Sequence, residues 1–200
     1  MKLYFHPGSP NSRRARIAAR LAAVDVEEVM VDVPAGDNRT REYLALNPMG
    51  KVPTLVTGDE RVVLESYAIG VELARGTPLF PAGRESEVLR WQFFDACHFA
   101  PPLGTLTFQN LFAPQPDAAA VAKAIEEWKR YAAVVETALE GGPWLATGEG
   151  PTLADVALLA SLTYADVTGV PLTDFPNLAR WRAALEDRPA VSATKPPLPG

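Results

Sequence analysis

The hydrophobic and polar positions follow two rhythms. Up to residue 75, short apolar runs alternate with helical spacing. Lys2-Leu3-Tyr4-Phe5 reads as a strand cut off by His6-Pro7-Gly8. Ser9-Pro10 then opens a helix, with serine as N-cap and proline at the first helical position. Ile17, Leu21 and Val24 continue that helix on one face, with Arg13, Arg14, Arg16 and Arg20 around it, which reads either as a solvated basic face or as arginines held against the helix dipole for an anionic ligand or a carboxylate partner. The valine-rich run Val26 to Val33 reads as a second strand, at the chain length of a right-handed parallel crossover. Asn38 to Leu46 is a short helix. Val52 to Val56 and Arg61 to Leu64 are strands joined by the turn Thr57-Gly58-Asp59-Glu60, and Ser66 to Ala74 is a closing helix. The order βαβαββα predicts a four-stranded mixed sheet with helices, small enough to need a partner domain.

Beyond residue 75 the rhythm is helical throughout. Residues 76–83, Gly-Thr-Pro-Leu-Phe-Pro-Ala-Gly, read as a linker. Arg84 to Phe99 is an amphipathic helix, broken at Pro101-Pro102 and resumed toward Phe112. After Ala113-Pro114-Gln115-Pro116, Asp117 caps a helix carrying Val121, Ile125, Trp128, Ala132, Val135 and Leu139 at helical spacing, ended by Gly141-Gly142-Pro143. Thr152-Leu153-Ala154-Asp155 is a capping box with aspartate in place of the usual glutamate. Pro176 opens the last clear helix, with Leu178, Trp181 and Leu185 inward, and the proline-rich tail 195–200 reads as loosely ordered. The predicted domains are residues 1–75 and an all-α unit, residues 84–200.

Composition adds a few exclusions. With 48% hydrophobic and 22% charged residues the chain has an ordinary globular balance, and a net charge of −5 argues against nucleic acid or an anionic membrane as partner. Residues 1–75 balance ten basic against ten acidic side chains, so the helical part carries the excess. Cys97 is the only cysteine, which excludes an internal disulfide and a thiolate metal cluster. No apolar run approaches the ~18 residues that span a bilayer. Pro7-Gly8 arrives too early for a signal peptide, and a cytoplasmic location is expected.

The chemistry concentrates in Asn47-Pro48-Met49-Gly50-Lys51-Val52-Pro53-Thr54-Leu55 and Leu64-Glu65-Ser66. Asn47-Pro48 stops a helix, Gly50 permits a positive φ, and Pro53 sits at a strand start. The Val52 backbone is thereby offered to something other than the sheet, such as a short peptide added as a strand. Glu65-Ser66 adds a carboxylate and a hydroxyl at a helix N-terminus that favours an anion, and Lys51 adds a cation. The stretch suits a small zwitterionic peptide.

Both motifs, with Tyr67-Ala68-Ile69 after them, resemble those of the thioredoxin-like N-terminal domain of the cytosolic glutathione transferases. The helical second half with its Thr-Leu-Ala-Asp box also resembles that family, so the likeness spans nearly the whole chain. It implies a thioredoxin-like domain plus an all-α domain, glutathione as co-substrate and a homodimer. It implies a cis bond before Pro53, with the cysteinyl backbone of glutathione on Val52, the γ-glutamyl end on Glu65 and Ser66, and the glycine carboxylate near Lys51.

A glutathione enzyme must hold the thiol, with an unaided pKa near ~8.5, as thiolate. Ser9 stands where the catalytic serine of the serine-type transferases falls, although its helix-cap role already explains it. Ser9-Pro10-Asn11 also resembles the Thr-Pro-Asn of bacterial transferases that reduce disulfides, which makes Asn11 a second contact for the sulfur. The cysteine-type pattern wants cysteine at Pro10, and Tyr4 is more simply a strand residue than a tyrosine-type donor. Ser12 is the fallback serine. Trp91, Phe94 and His98 share a helical face that would look across the interdomain cleft. Phe94 and His98 are candidates for the electrophile pocket, while Trp91 reads as core. As a metal ligand His98 has only His6 for company, so no metal is expected. The readings are conjugation of glutathione to small apolar electrophiles, glutathione-dependent disulfide reduction, or a non-catalytic scaffold.

Overall fold

Alternation along the first strand decides the layers of the N-terminal half. In the computed structural model, which describes residues 1–147 and 149–196, β1 (Lys2–Phe5) lies at the centre of a four-stranded sheet. It pairs in parallel with β2 (Glu27–Met30), with Leu3 opposite Glu28, and antiparallel with β3 (Thr54–Val56), with Leu3 opposite Leu55. β4 (Val62–Val63) closes the order β2-β1-β3-β4. Leu3 and Leu55 are wholly buried in a cluster with Ala15 and Ala19 of α1 (Pro10–Leu21) and Ile69 and Leu73 of α3 (Ser66–Ala74). Tyr4 points to the other face, as strand alternation requires, and meets Tyr43 of α2 (Arg41–Leu46) edge-on at 6.0 Å. Residues 1–75 thus form the expected βαβαββα unit.

Ser9 caps α1 by accepting the Ser12 N–H at 3.2 Å, with Pro10 following as helical N1. Of the arginines of this helix only Arg20 is exposed to solvent. Arg13 and Arg14 are buried, and Arg16 and Arg20 bond Glu28 of β2.

The expected break at Pro101-Pro102 does not occur. Instead α4 (Glu85–Phe94) runs through a π-helical turn (Asp95–Phe99) into α5 (Ala100–Thr107) and a second such turn (Phe108–Phe112). The Ala100 N–H bonds the Asp95 carbonyl five residues back. The prolines therefore fall in the first turn after a widened one, where a missing N–H costs little.

The other helices form as their caps dictate. Asp117 accepts the N–H groups of Ala119 and Ala120 at the start of α6 (Ala118–Ala138). Thr152 and Asp155 close a reciprocal capping box on α7 (Leu153–Ser161). That helix is apolar nearly all round and runs through the centre of the second core. α8 (Pro176–Glu186) buries Leu178, Trp181 and Leu185, and α9 (Pro189–Ser192) follows. Ile17, Ala18 and Ala74 from the first half join the same apolar cluster as Trp91, Trp128 and Trp181. Of the tail expected to be loose, Lys195 bonds Glu186 at 2.6 Å, and residues 197–200 lie outside the described residues. None of the helices among the described residues is long and apolar enough to cross a membrane.

Candidate functional site

The loop between α2 and β3 is fixed by side chains that satisfy its backbone. Asn47, nearly fully buried, donates through Nδ2 to the Lys51 carbonyl at 2.8 Å and to Thr54 Oγ1 at 3.2 Å, and accepts the Met49 N–H. Tyr43 donates its hydroxyl to the same Lys51 carbonyl at 2.7 Å. Asn38 donates to the Gly50 carbonyl at 2.7 Å. Gly50 has φ +60°, and a Cβ there would stand 2.8 Å from Arg39 Nη1 and 2.9 Å from the Asn38 carbonyl oxygen, so only glycine fits. The Val52–Pro53 bond is cis, as the family resemblance implies.

Two helix starts converge beside this loop. At α3, Glu65 takes φ 68° and Ser66 begins the helix, buried. At α1, Tyr164 from the helical half donates its hydroxyl to the Gly8 carbonyl at 2.6 Å, just ahead of Ser9. His6 Nδ1 accepts the Gly8 N–H at 3.2 Å, and the His6 N–H is donated to Ser12 Oγ. Between the helix starts lies a buried polar cluster. Arg14 donates through Nη1 to Asn11 Oδ1 at 2.5 Å and Ser66 Oγ at 2.8 Å, and through Nη2 to Asp95 Oδ2 and Ser161 Oγ, both at 3.1 Å. Its guanidinium lies 4.0 Å over the Tyr67 ring, and Tyr67 donates its hydroxyl to Asp95 at 2.9 Å. Burial pushes the Asp95 carboxyl up to about 6 against the opposing pull of Arg14 and of the Ser161 and Tyr67 hydroxyls. Burial likewise raises the Tyr67 phenol, which stays a neutral donor.

A cavity of about 340 Å³ opens where these pieces meet. Asn11, Lys51, Val52, Pro53, Glu65 and Ser66 line it from the N-terminal half, and Ala96, Ala100 and Pro101 face them from the helical half. Six of the seven residues assigned to glutathione and its thiolate therefore share one wall. Ser9 does not line this cavity: its oxygen points along the helix start toward the Ser12 N–H. A second cavity of about 330 Å³ adjoins the first through Asn11 and Ala100, and Leu103, Phe108 and Phe112 give it an apolar wall. Among the described residues no group of His, Cys, Asp and Glu is placed to hold a metal ion.

This geometry is paralleled by known proteins. Residues 8–75 match the family model described as "Glutathione S-transferase, N-terminal domain", and residues 96–189 match "Glutathione S-transferase, C-terminal domain". The chain belongs to the glutathione S-transferase family. Among its relatives in that family, Glutathione S-transferase 3 of Zea mays is 37% identical, over all of this chain and 95% of that protein. The Disulfide-bond oxidoreductase YfcG of Escherichia coli (strain K12) is 29% identical, over 94% of this chain and 91% of its own. The crystal structure of the glutathione transferase URE2P6 from Phanerochaete chrysosporium, in complex with oxidized glutathione, has a TM-score of 0.87 at 26% identity, covering 96% of this chain and 93% of that one.

In this glutathione S-transferase, Phe94 and His98 are not brought to either cavity. Phe94 packs edge-on against Trp91 at 5.3 Å and Tyr131 at 6.0 Å, and the exposed His98 ring lies 5.3 Å from Tyr131. Ala96, Ala100 and Pro101, on another face of the same helical run, are the residues that look across the cleft. Trp91, Phe94 and His98 do share a face, but periodicity does not say which face turns to the cleft, and the widened turn at Asp95 rotates the register. Sequence reasoning also missed Asp95, Tyr67 and Tyr164 as supports of the site. Their partners lie 28 to 156 residues away, and no local signal marks them.

Proposed function

We propose that this enzyme binds glutathione in the first cavity through Val52, Glu65, Ser66 and Lys51, with residues 1–75 as the glutathione-binding domain and 84–200 as the helical one. Its thiolate attacks the electrophilic carbon of a small apolar compound held in the second. A carbon–sulfur bond forms as the leaving group departs with its electron pair. The observation that carries this reading is the juncture of the cavities. A polar chamber lined by a cation, an anion, a free backbone edge and a helix N-terminus opens at Asn11 into an apolar one. The likeness to a structure holding oxidized glutathione supports the assignment of the polar chamber.

Disulfide reduction is the second reading, and Asn11 favours it. Asn11 lines both cavities, while Ser9 lines neither and already serves as a cap. In that reaction the thiolate attacks one sulfur of a disulfide, the other sulfur leaves as thiolate, and a second glutathione completes the exchange. Wild type, Ser9→Ala and Asn11→Ala are to be assayed side by side on chlorodinitrobenzene and hydroxyethyl disulfide, with glutathione binding by calorimetry. For conjugation, Ser9→Ala retains binding and loses at least about tenfold in rate on the chlorinated substrate. A larger loss in Asn11→Ala, with the disulfide as the better substrate, selects reduction. Absence of glutathione binding by wild type sinks both.

A cytoplasmic homodimer is part of this proposal. Beside Glu65 an apolar hollow of about 600 Å³ is lined by Val63, Ala68, Val71, Leu89 and Phe93, with Arg61, Glu72 and Arg75 at its rim. Phe93 stands 65% exposed at its edge, a self-complementary arrangement of knob and hollow for a second copy.

A further inference from the structure

Arg14 divides its hydrogen bonds in a way that a purely structural ion pair would not. Its side chain is 3% exposed and that of Asp95 is fully buried, yet they share a single contact of 3.1 Å. Side-by-side bidentate pairing is the stronger geometry for a guanidinium and a carboxylate. Here Arg14 Nε and Asp95 Oδ1 have no hydrogen-bond partner among the described residues, and the whole of Nη1 is given to Asn11 and Ser66. Both recipients line the polar cavity.

The consequence follows from donor and acceptor inventory. Arginine has five N–H donors and no acceptor. The atom of Asn11 that faces it must therefore be the carbonyl oxygen, which leaves the amide NH₂ as the free end. Ser66 likewise accepts from Arg14 through its oxygen, and its hydroxyl hydrogen is turned to Asn11 Oδ1 at 3.5 Å, a bond long enough for a ligand oxygen to replace. We propose that Arg14 is a positioning residue that turns Asn11 and Ser66 into a pair of hydrogen-bond donors, making this wall of the cavity selective for the anionic groups of glutathione, the thiolate and a carboxylate. Asp95, with Tyr67 and Ser161 bonded to it, holds the guanidinium in that pose from the helical half. The device spans both domains, so the polarity of the site depends on their correct docking. It rests on the glutathione reading above.

The test is a mutant cycle between Arg14 and Asn11. Arg14→Met removes every donor, Arg14→Lys keeps a charge and fewer donors, and each is combined with Asn11→Ala. Thiolate absorbance of the enzyme–glutathione complex is followed against pH, and the dissociation constant is measured by calorimetry. Arg14→Met is expected to weaken binding about tenfold and to raise the thiol pKa by about one pH unit, with partial recovery in Arg14→Lys. In the Asn11→Ala background the thiol pKa no longer responds to Arg14. A folded Arg14→Met protein with wild-type thiol pKa and affinity overturns the proposal, as does an equal pKa change with and without Asn11. Should Arg14→Met fail to fold, Arg14→Met/Asp95→Asn removes both buried charges together and is read in the same way. Wild type that binds no glutathione sinks the parent reading instead. The positioning claim is then read without ligand, from whether the Asn11 side-chain amide resonances move in Arg14→Met.

Discussion

Glu65 pays a conformational cost at the place where the ligand is proposed to bind. Its φ of 68° and ψ of 120° lie where a residue with a Cβ is crowded, and such positions cost of order 1–3 kcal/mol. Its carbonyl accepts the Ile69 N–H and so starts α3, while its side chain lines the polar cavity. Glycine at this position removes the crowding and the carboxylate together. Glu65→Gly is therefore expected to weaken glutathione binding about tenfold while Tm holds or rises by about 2–4 °C. Glu65→Ala is expected to lose the same affinity with no gain in Tm, which separates strain from side-chain contact. Equal destabilisation in the two variants would refute strain at Glu65. Residues of this kind also mark the limit of sequence reading. The Ser9 cap was legible because its partner, Ser12, is three residues away. The four arginines of α1 were not, since a solvated face, an anion site and carboxylate pairs share one pattern. Only the fold brings Arg14 to Asp95 and Arg13 to Glu186.

Elements were legible where a cap or a period of two fixed them, and less so where tertiary contacts chose the register. The strands at β3 and β4 are shorter than the apolar runs that announce them: Pro53, with no N–H to give, ends the β1 pairing at Thr54 although β1 runs on to Phe5, and Leu64 leads straight into the start of α3. The prolines at 101 and 102 misled, since a widened turn upstream absorbs them. The packing of α1 on β2 gives a testable case of element docking. Glu28 accepts two bonds from Arg16, at 3.0 and 2.9 Å, and one from Arg20 at 3.1 Å. Burial alone would raise its pKa, but the Arg16 and Arg20 interactions outweigh it and hold the carboxyl below the usual glutamate range. A depressed folded-state pKa gives stability that is fully present above the ordinary value of about 4.3 and is lost as pH falls through the folded one. Glu28→Gln is thus expected to cost about 1 kcal/mol at pH 7, a cost that fades as pH falls below the ordinary glutamate range and the carboxyl takes up its proton. Urea melts of both proteins at several pH values test this. A difference that stays constant across the range would assign the effect to packing rather than charge.

At the scale of the molecule the two halves are joined by one core and a polar seam. Among the described residues the sheet's own apolar cluster buries Leu3, Ala15, Ala19, Leu55, Ile69 and Leu73, with Val24, Val26 and Val63 half-buried against it, whereas Ile17, Ala18 and Ala74 pack into the helical core. Arg13 reaches Thr163, Glu186 and Thr194, Tyr164 reaches Gly8, and the Leu153 N–H bonds the Leu79 carbonyl. A unit with so small a private core gains much of its stability from its neighbour, so the halves are expected to unfold together. The four tryptophans, at 91, 128, 144 and 181, all lie in the helical half, so their fluorescence follows that half alone. Far-UV circular dichroism follows both. Coincident urea transitions by the two probes are the expected outcome, and loss of ellipticity ahead of fluorescence would show the sheet unit melting first. The proposed pairing of two copies through Phe93 adds a second, separable effect. If folding and association are coupled, the midpoint rises with protein concentration. Phe93→Asp places a charge in the apolar hollow of the partner and is expected to abolish that rise while the two probes remain coincident. A midpoint independent of concentration in wild type would remove the dimer from the proposal and leave the joint unfolding of the two halves intact.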